Sequence, residues 1–190
     1  MKFTQIRSDT MQNIQMNAGI IASDFTVGTG TIDEDDILGA TTGGIQFQAA
    51  PEFTDFGEDI DNCPKNTKEL KQITSWEATM SGTFVAINAD TAKILTAAAD
   101  LASNKITPRN ELKSTDFMDL WFIGDYSDVN TGTNAGYIAI KLINALSTGG
   151  FQLQTTDKGK GQFAFTFTGH YSIDAQDTVP FEIYVKEGTA

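Results

Sequence analysis

The chain has 190 residues, 40% of them hydrophobic, and 25 acidic against 13 basic side chains give it a formal net charge of −12. A chain of this length buries about 70% of its unfolded surface, so one cored domain over residues 1–190 is expected. The acidic balance excludes a protein that grips phosphate backbones through clustered Lys and Arg, and a single cysteine, Cys63, excludes an intrachain disulfide.

No run of signal-peptide length opens the sequence and no stretch approaches the ~18 apolar residues of a membrane span, so synthesis and folding in the cytosol, with no membrane partner, are expected. Ile14, Met16, Ala18 and Ile20 alternate as a strand, and Gly28, Gly30 and the acidic run Asp33–Asp36 follow as a solvated turn. That run does not match a calcium loop, because Ile37 and Leu38 stand where oxygen ligands belong. Gly43 and Gly44 open a second strand, Ile45–Ala49, which proline at position 51 is expected to stop. Residues 52–72 read as a long polar loop.

From Trp76 to Ile87 the alternation is clean. Trp76, Ala78, Met80, Gly82, Phe84 and Ala86 face one way, and Glu77, Thr79, Ser81 and Thr83 the other. Asn88 or Asp90 caps a helix whose stripe is Ile94, Leu95, Ala98, Leu101 and Ala102, ending at Ser103 and Asn104. Phe117–Ile123 is a strand buried on both sides or a short buried helix, and Tyr137–Leu146 is similarly apolar. Ser147–Gly150 turn the chain into a strand at Phe151–Thr155. A long strand then spans Lys160–Asp174, with Phe163, Phe165, Phe167, Gly169, Tyr171 and Ile173 on its buried face. Pro180 begins the last strand, Phe181–Val185. The expectation is a mainly β protein of about eight strands: two packed antiparallel sheets, as a sandwich or open barrel, with one flanking α-helix.

Candidate chemistry is sparse. The lone histidine, His170, reads as a polar strand residue without triad or zinc partners. Lys158–Gly161 is followed by a strand where a phosphate-cradling loop needs a helix. Paired carboxylates for glycoside hydrolysis are neither excluded nor supported among so many acids. No catalytic residue, metal or cofactor is therefore assigned. Trp76, Trp121 and Tyr126 would serve a carbohydrate-binding or adhesin-like β-sandwich if exposed on one face, although their apolar context favours core.

The stretch DFGEDIDNCPKNTKEL at Asp55–Leu70, then SWEATMSGTFVAI, DLWFIGDYS and STGGFQLQTTDKGKGQFAFTFTGHYS, resembles the major tail (tail tube) proteins of long-tailed bacteriophages across roughly Gly39 to Val185. The resemblance implies two packed sheets with a flanking helix and six subunits per ring. Rings would stack into a hollow tube in the virion tail, assembled in the host cytoplasm, through which the viral genome is ejected. It implies as partners other copies of the chain, a tape-measure protein, a baseplate hub and a tail terminator, with DNA only in transit and not specifically bound.

Six copies of −12 would place −72 on each ring, so an acidic or neutral lumen would let DNA slide. The polar side of the strand bearing Glu77, Thr79, Ser81 and Thr83 is the candidate lumen face, the outer solvent face being the other reading. Related tubes contact the next ring through a long loop at this point. That makes 52–72 the candidate inter-ring loop, its acidic half Asp55, Glu58, Asp59 and Asp61 preceding Lys65, Lys68 and Lys71, a flexible surface loop being the other reading. Residues 1–13 and the Gly28–Gly39 loop are candidate inter-subunit arms.

Overall fold

The longest ladder is a hairpin of two seventeen-residue strands, β2 (Gly39–Asp55) and β3 (Lys71–Ile87). It belongs to a computed structural model describing residues 6–7, 9–126 and 135–188. β2 is an edge strand and runs straight through Pro51, which lies opposite Trp76. The expected stop at proline therefore fails, because an edge strand has one side that makes no ladder bonds and tolerates a missing donor there. Gly43 and Gly44 do not open this strand. They form a bulge within it, both at left-handed φ (77° and 85°), a conformation glycine adopts without strain.

Nine strands are present among the described residues: β1 (Ile20–Ala22), β2, β3, β4 (Ala99–Ala102), β5 (Lys105–Pro108), β6 (Met118–Asp125), β7 (Tyr137–Ser147), β8 (Phe163–Thr168) and β9 (Phe181–Lys186). Seven make one antiparallel sheet in the order β1-β6-β7-β8-β3-β2, with β9 also on β7; β4 and β5 form a separate hairpin. β7 is the hinge of this arrangement. Its first part pairs with β6 and β9, while only Leu146 and Ser147 reach β8. The expected pair of sheets is thus one large sheet folded about β7, plus a small second sheet.

The fold about β7 creates the core. Ala78, Met80 and Phe84 of β3 and Phe165 and Phe167 of β8 pack with Ile21, Leu120 and Leu142 from the other half of the sheet. Full burial of each of the larger of these side chains is worth about 1.5–3 kcal/mol. A second cluster, Phe25, Trp121, Ile123, Tyr137 and Ala139, fills the far face of β6 and β7. The Gly28–Gly39 region belongs partly to it: Ile32 packs there, and the Tyr137 hydroxyl donates to the Val27 carbonyl. This candidate arm is thus laid down on its own sheet.

Several expected boundaries move. The helix α1 is only Ala89–Leu95: Asn88 does cap it, accepting from the Thr91 N–H at 2.8 Å, but Ala97 turns left-handed at φ 65° and ends it. Leu101 and Ala102 lie in β4, whose pairing with β5 overrides a helical spacing carried by two short turns. The strand expected over Lys160–Asp174 is regular only at Phe163–Thr168. At Gly169 the chain crosses between ladders: its N–H donates to Ala78, and the next N–H, of His170, donates to Ile143 of β7. A Cβ at Gly169 would stand 2.7 Å from the Pro180 carbonyl oxygen, so any larger residue at this crossing must displace backbone.

The expected strand at 151–155 is reduced to one bridge, Gln154 to Gln162, and that at 14–20 to a bridge at Gln15 and the short β1. Phe117–Ile123, Tyr137–Leu146 and Phe181–Val185 are strands as expected, as β6, β7 and β9. Of the N-terminal arm, residues 1–5 and 8 lie outside the described residues. Thr10–Asn13 form a 3-10 turn.

Candidate functional site

Two features of the hairpin meet the residues singled out in the sequence: a two-stranded arm tipped by a folded loop, and a polar sheet face. From Thr79 to Phe84, β3 has β2 on one side and β8 on the other; from Lys71 to Glu77 its only ladder among the described residues is with β2. The expected loop at 52–72 is therefore shorter than the polar composition suggested. Residues 52–55 and 71–72 are strand, and only 56–70 turn.

That turn is internally bonded. Phe56 N–H donates to Leu70 O at 3.0 Å, Thr67 Oγ1 donates to Pro64 O at 2.7 Å, and Asn62 and Asn66 take the left-handed conformation at φ 61°. Asp55 clamps its base. One carboxylate oxygen accepts from Gly57 N–H at 2.9 Å and the other from Asn66 N–H at 2.8 Å. Those bonds, Asn66 first and Gly57 second, hold its carboxyl below the usual carboxylate range, with Lys71 and Lys65 adding to the effect. Asp55 is thus committed within the loop.

Glu58, Asp59 and Asp61 on the outgoing side and Lys65 and Lys68 on the return are exposed, Lys68 pairing with Glu69 at 3.4 Å. The Lys71 ammonium lies 3.2 Å from Asn66 Oδ1 and 4.7 Å from the Phe53 ring centre. What the polar reading missed is apolar. Phe53 and Ile73 face each other across the ladder and are 52% and 45% exposed, with Phe56 and Ile60 exposed beyond them. The signal was present as the continued alternation Phe47, Ala49, Pro51, Phe53.

The second feature is built by register. Thr79, Ser81 and Thr83 stand opposite Gln48, Gln46 and Thr42 of β2, and on the other side opposite Thr168, Thr166 and Ala164 of β8. Thr148 extends the row, its hydroxyl 2.8 Å from that of Thr168. Glu77, opposite Ala50, starts the arm. The four candidate lumen residues therefore do share one face, and Gln46, Gln48, Thr166 and Thr168 join them. Their signal was the same two-residue period on β2 and β8.

Other candidates resolve differently. His170 is not on a strand: it is half-buried, with Nδ1 3.1 Å from Asn144 O and its ring edge-on to Phe117. Trp121 is 6% exposed within the second cluster, and Trp76 packs on Phe181 at 5.4 Å, so neither lies open on a sheet face as sugar stacking would need. Cys63 is half-buried in the loop, its Sγ 3.6 Å from Thr67 Oγ1. Among the described residues no group of three metal-ligating side chains is assembled, and no helix is long and apolar enough to cross a membrane.

Neither protein-family models nor curated proteins match this chain.

Proposed function

We propose that this chain is the structural subunit of a phage-type tail tube, with rings of six stacked into a hollow conduit for the viral genome. The observation that carries the reading is the polar face of β2, β3 and β8. Its rows, Gln48-Thr79-Thr168, Gln46-Ser81-Thr166 and Thr42-Thr83-Ala164, offer hydroxyls and amides with no lysine or arginine among them. A phosphate backbone passing such a wall finds no cation to condense on, and Glu77 adds repulsion over about 8–10 Å, one Debye length.

This refines how the net charge acts. Most of the acids behind the −12 of the chain lie outside its strands and helix, and the three rows of the wall are uncharged, with Glu77 at their margin, a surface past which DNA moves without being bound. The folded tip of the arm is the second support, because a bonded loop raised on a two-stranded ribbon is suited to meeting a neighbouring subunit. The tape-measure, hub and terminator proteins would be the remaining partners in the virion tail, and the role is structural, with no catalysis assigned.

Electron microscopy of the purified protein at high concentration tests the reading. Hollow assemblies with sixfold symmetry are expected. Monodisperse monomers at every concentration, even with baseplate or tape-measure partners supplied as a nucleus, would overturn it.

A further inference from the structure

The two halves of the folded sheet cover each other only in part, and each extends its apolar inner face past the cover. On the hairpin that face is Phe47, Ala49, Pro51 and Phe53 against Met80, Ala78, Trp76 and Ile73. Met80 and Ala78 are wholly buried, whereas Phe53 and Ile73 stand about half exposed. On β9 the inner face is Phe181, Ile183 and Val185, in register with Leu142, Ile140 and Ile138. Phe181 packs on Phe47 and Trp76 at 5.7 and 5.4 Å, but Ile183 and Val185 are 52% and 56% exposed. The chain thus exposes two pieces of the same kind of surface that it buries against itself at Phe181.

The two stripes also end in opposite charge. Beyond Phe53 and Ile73 stands Lys71, and the acid opposite it, Asp55, has both oxygens engaged by loop N–H groups. One residue past the end of β9 stands the exposed Glu187. Arg7 feels Glu187 but is itself ion-paired with Asp9 at 2.5 Å.

We propose that the arm of one copy docks through Phe53 and Ile73 on the β9 stripe, Ile183 and Val185, of the next copy, with Lys71 reaching Glu187. The contact repeats between copies the packing that Phe47 and Trp76 make with Phe181 within one. Stripe and receptor lie on different elements, so the contact is head-to-tail and propagates into a closed ring or an open helix. It also covers an apolar strand at a sheet edge, which is otherwise a site of indiscriminate pairing. This inference rests on the tube reading and deepens it by naming which faces join.

The test uses two preparations, both Cys63→Ser, one with Ile73→Cys and one with Val185→Cys, mixed at assembling concentration and mildly oxidised. A disulfide between the two different variants can form only between copies. The expected result is that this mixed dimer predominates over like-with-like dimers, with the 73–185 linkage identified by mass spectrometry. Ile73→Asp is expected to abolish rings while leaving the thermal unfolding midpoint unchanged, and Ile73→Val to retain them. Lys71→Glu and Glu187→Lys are each expected to weaken assembly and together to restore it. Hollow assemblies that form without the mixed disulfide, and that tolerate Ile73→Asp, would overturn the docking and leave the tube reading standing. Absence of assembly by the unsubstituted chain under every condition would overturn both.

Discussion

In the inner half of the long hairpin, Thr79 to Phe84, β3 is flanked by β2 and β8 and its apolar face is sealed by the rest of the sheet; in the outer half, Lys71 to Glu77, it pairs among the described residues with β2 alone. The two halves share one ladder, the alternation of β3 slipping by one residue at the bulge between Glu52 and Phe53, so that Ile73 follows Trp76 opposite the inner face of β2. Phe84 is 0% exposed whereas Ile73, on the same face, is nearly half exposed. Alternation therefore marks a face to be covered without saying what covers it. In the inner half the cover is the chain's own core; in the outer half, on the reading above, it is a second copy.

This comparison can be broken by substitutions that separate folding from assembly. Phe84→Ala removes a ring whose centre lies 4.5 Å from that of Phe165, tilted by 33°, and is expected to cost about 3–5 kcal/mol in urea unfolding. A loss below about 1 kcal/mol would mean that the inner half is not held as tightly as its burial implies. Gly169→Ala pushes a methyl toward the Pro180 carbonyl and Leu142 Cδ1, with an expected loss of about 1–3 kcal/mol by the same measurement.

Acid should act on the hairpin of β4 and β5 through Asp116. Burial pushes its carboxyl up, but the Lys113 N–H and the Arg109 guanidinium together hold it below the usual carboxylate range. A depressed folded value means the stabilisation is complete above the unfolded value, about 4, and is lost as pH falls through the folded value. Asp116→Asn should therefore lower the thermal midpoint at neutral pH, and the gap from the unsubstituted chain should narrow at about pH 3. A gap that stays constant with pH would sink this assignment.

Smaller effects sharpen the contrast. Asn88→Ala deletes the cap of α1, where Asn88 Oδ1 accepts at 2.8 Å, and should cost about 1 kcal/mol. Ile73→Ala, in the outer half, should change folding stability by no more than about 0.5 kcal/mol, yet reduce the yield of assembled rings by sedimentation. Equal folding losses at Phe84 and Ile73 would erase the distinction between core and arm.

Much of the fold was legible in the residues. The Phe163–Phe167 alternation, the apolar runs of β6 and β7, the entry of β9 after Pro180 and the Asn88 cap are local signals of strand or helix, and the structure has each. Less legible was anything set by a partner distant in sequence. Leu101 and Ala102 continued a helical stripe, but β5 pairs with them as a strand, and Arg109 N–H closes on Ala98 O at 2.8 Å to hold that hairpin. Tyr171 and Ile173 continued the alternation of β8, but the ladder changes at Gly169 because Ile143 of β7 takes the next backbone donor.

The candidate site shows the same division. Glu77, Thr79, Ser81 and Thr83 could be placed on one polar face from their two-residue spacing alone. The rows of Gln46, Gln48, Thr166 and Thr168 beside them needed the register of three strands. Composition marked 52–72 as polar because its charges outnumber its apolar residues, and so hid Phe53; Ile73, just past that stretch, stands opposite it, and the exposure of both depends on β8 ending where it does.

By itself, then, the sequence determined the β class, the two-faced character of the long strands and the polar side of β3, because side-chain alternation and capping act over a few residues. Tertiary structure alone decided that one sheet folds about β7, that β2 runs on through Pro51, and that two apolar stripes outrun their cover. Those outcomes depend on which strands meet and how far each extends past the other, and no spacing within a single segment encodes that.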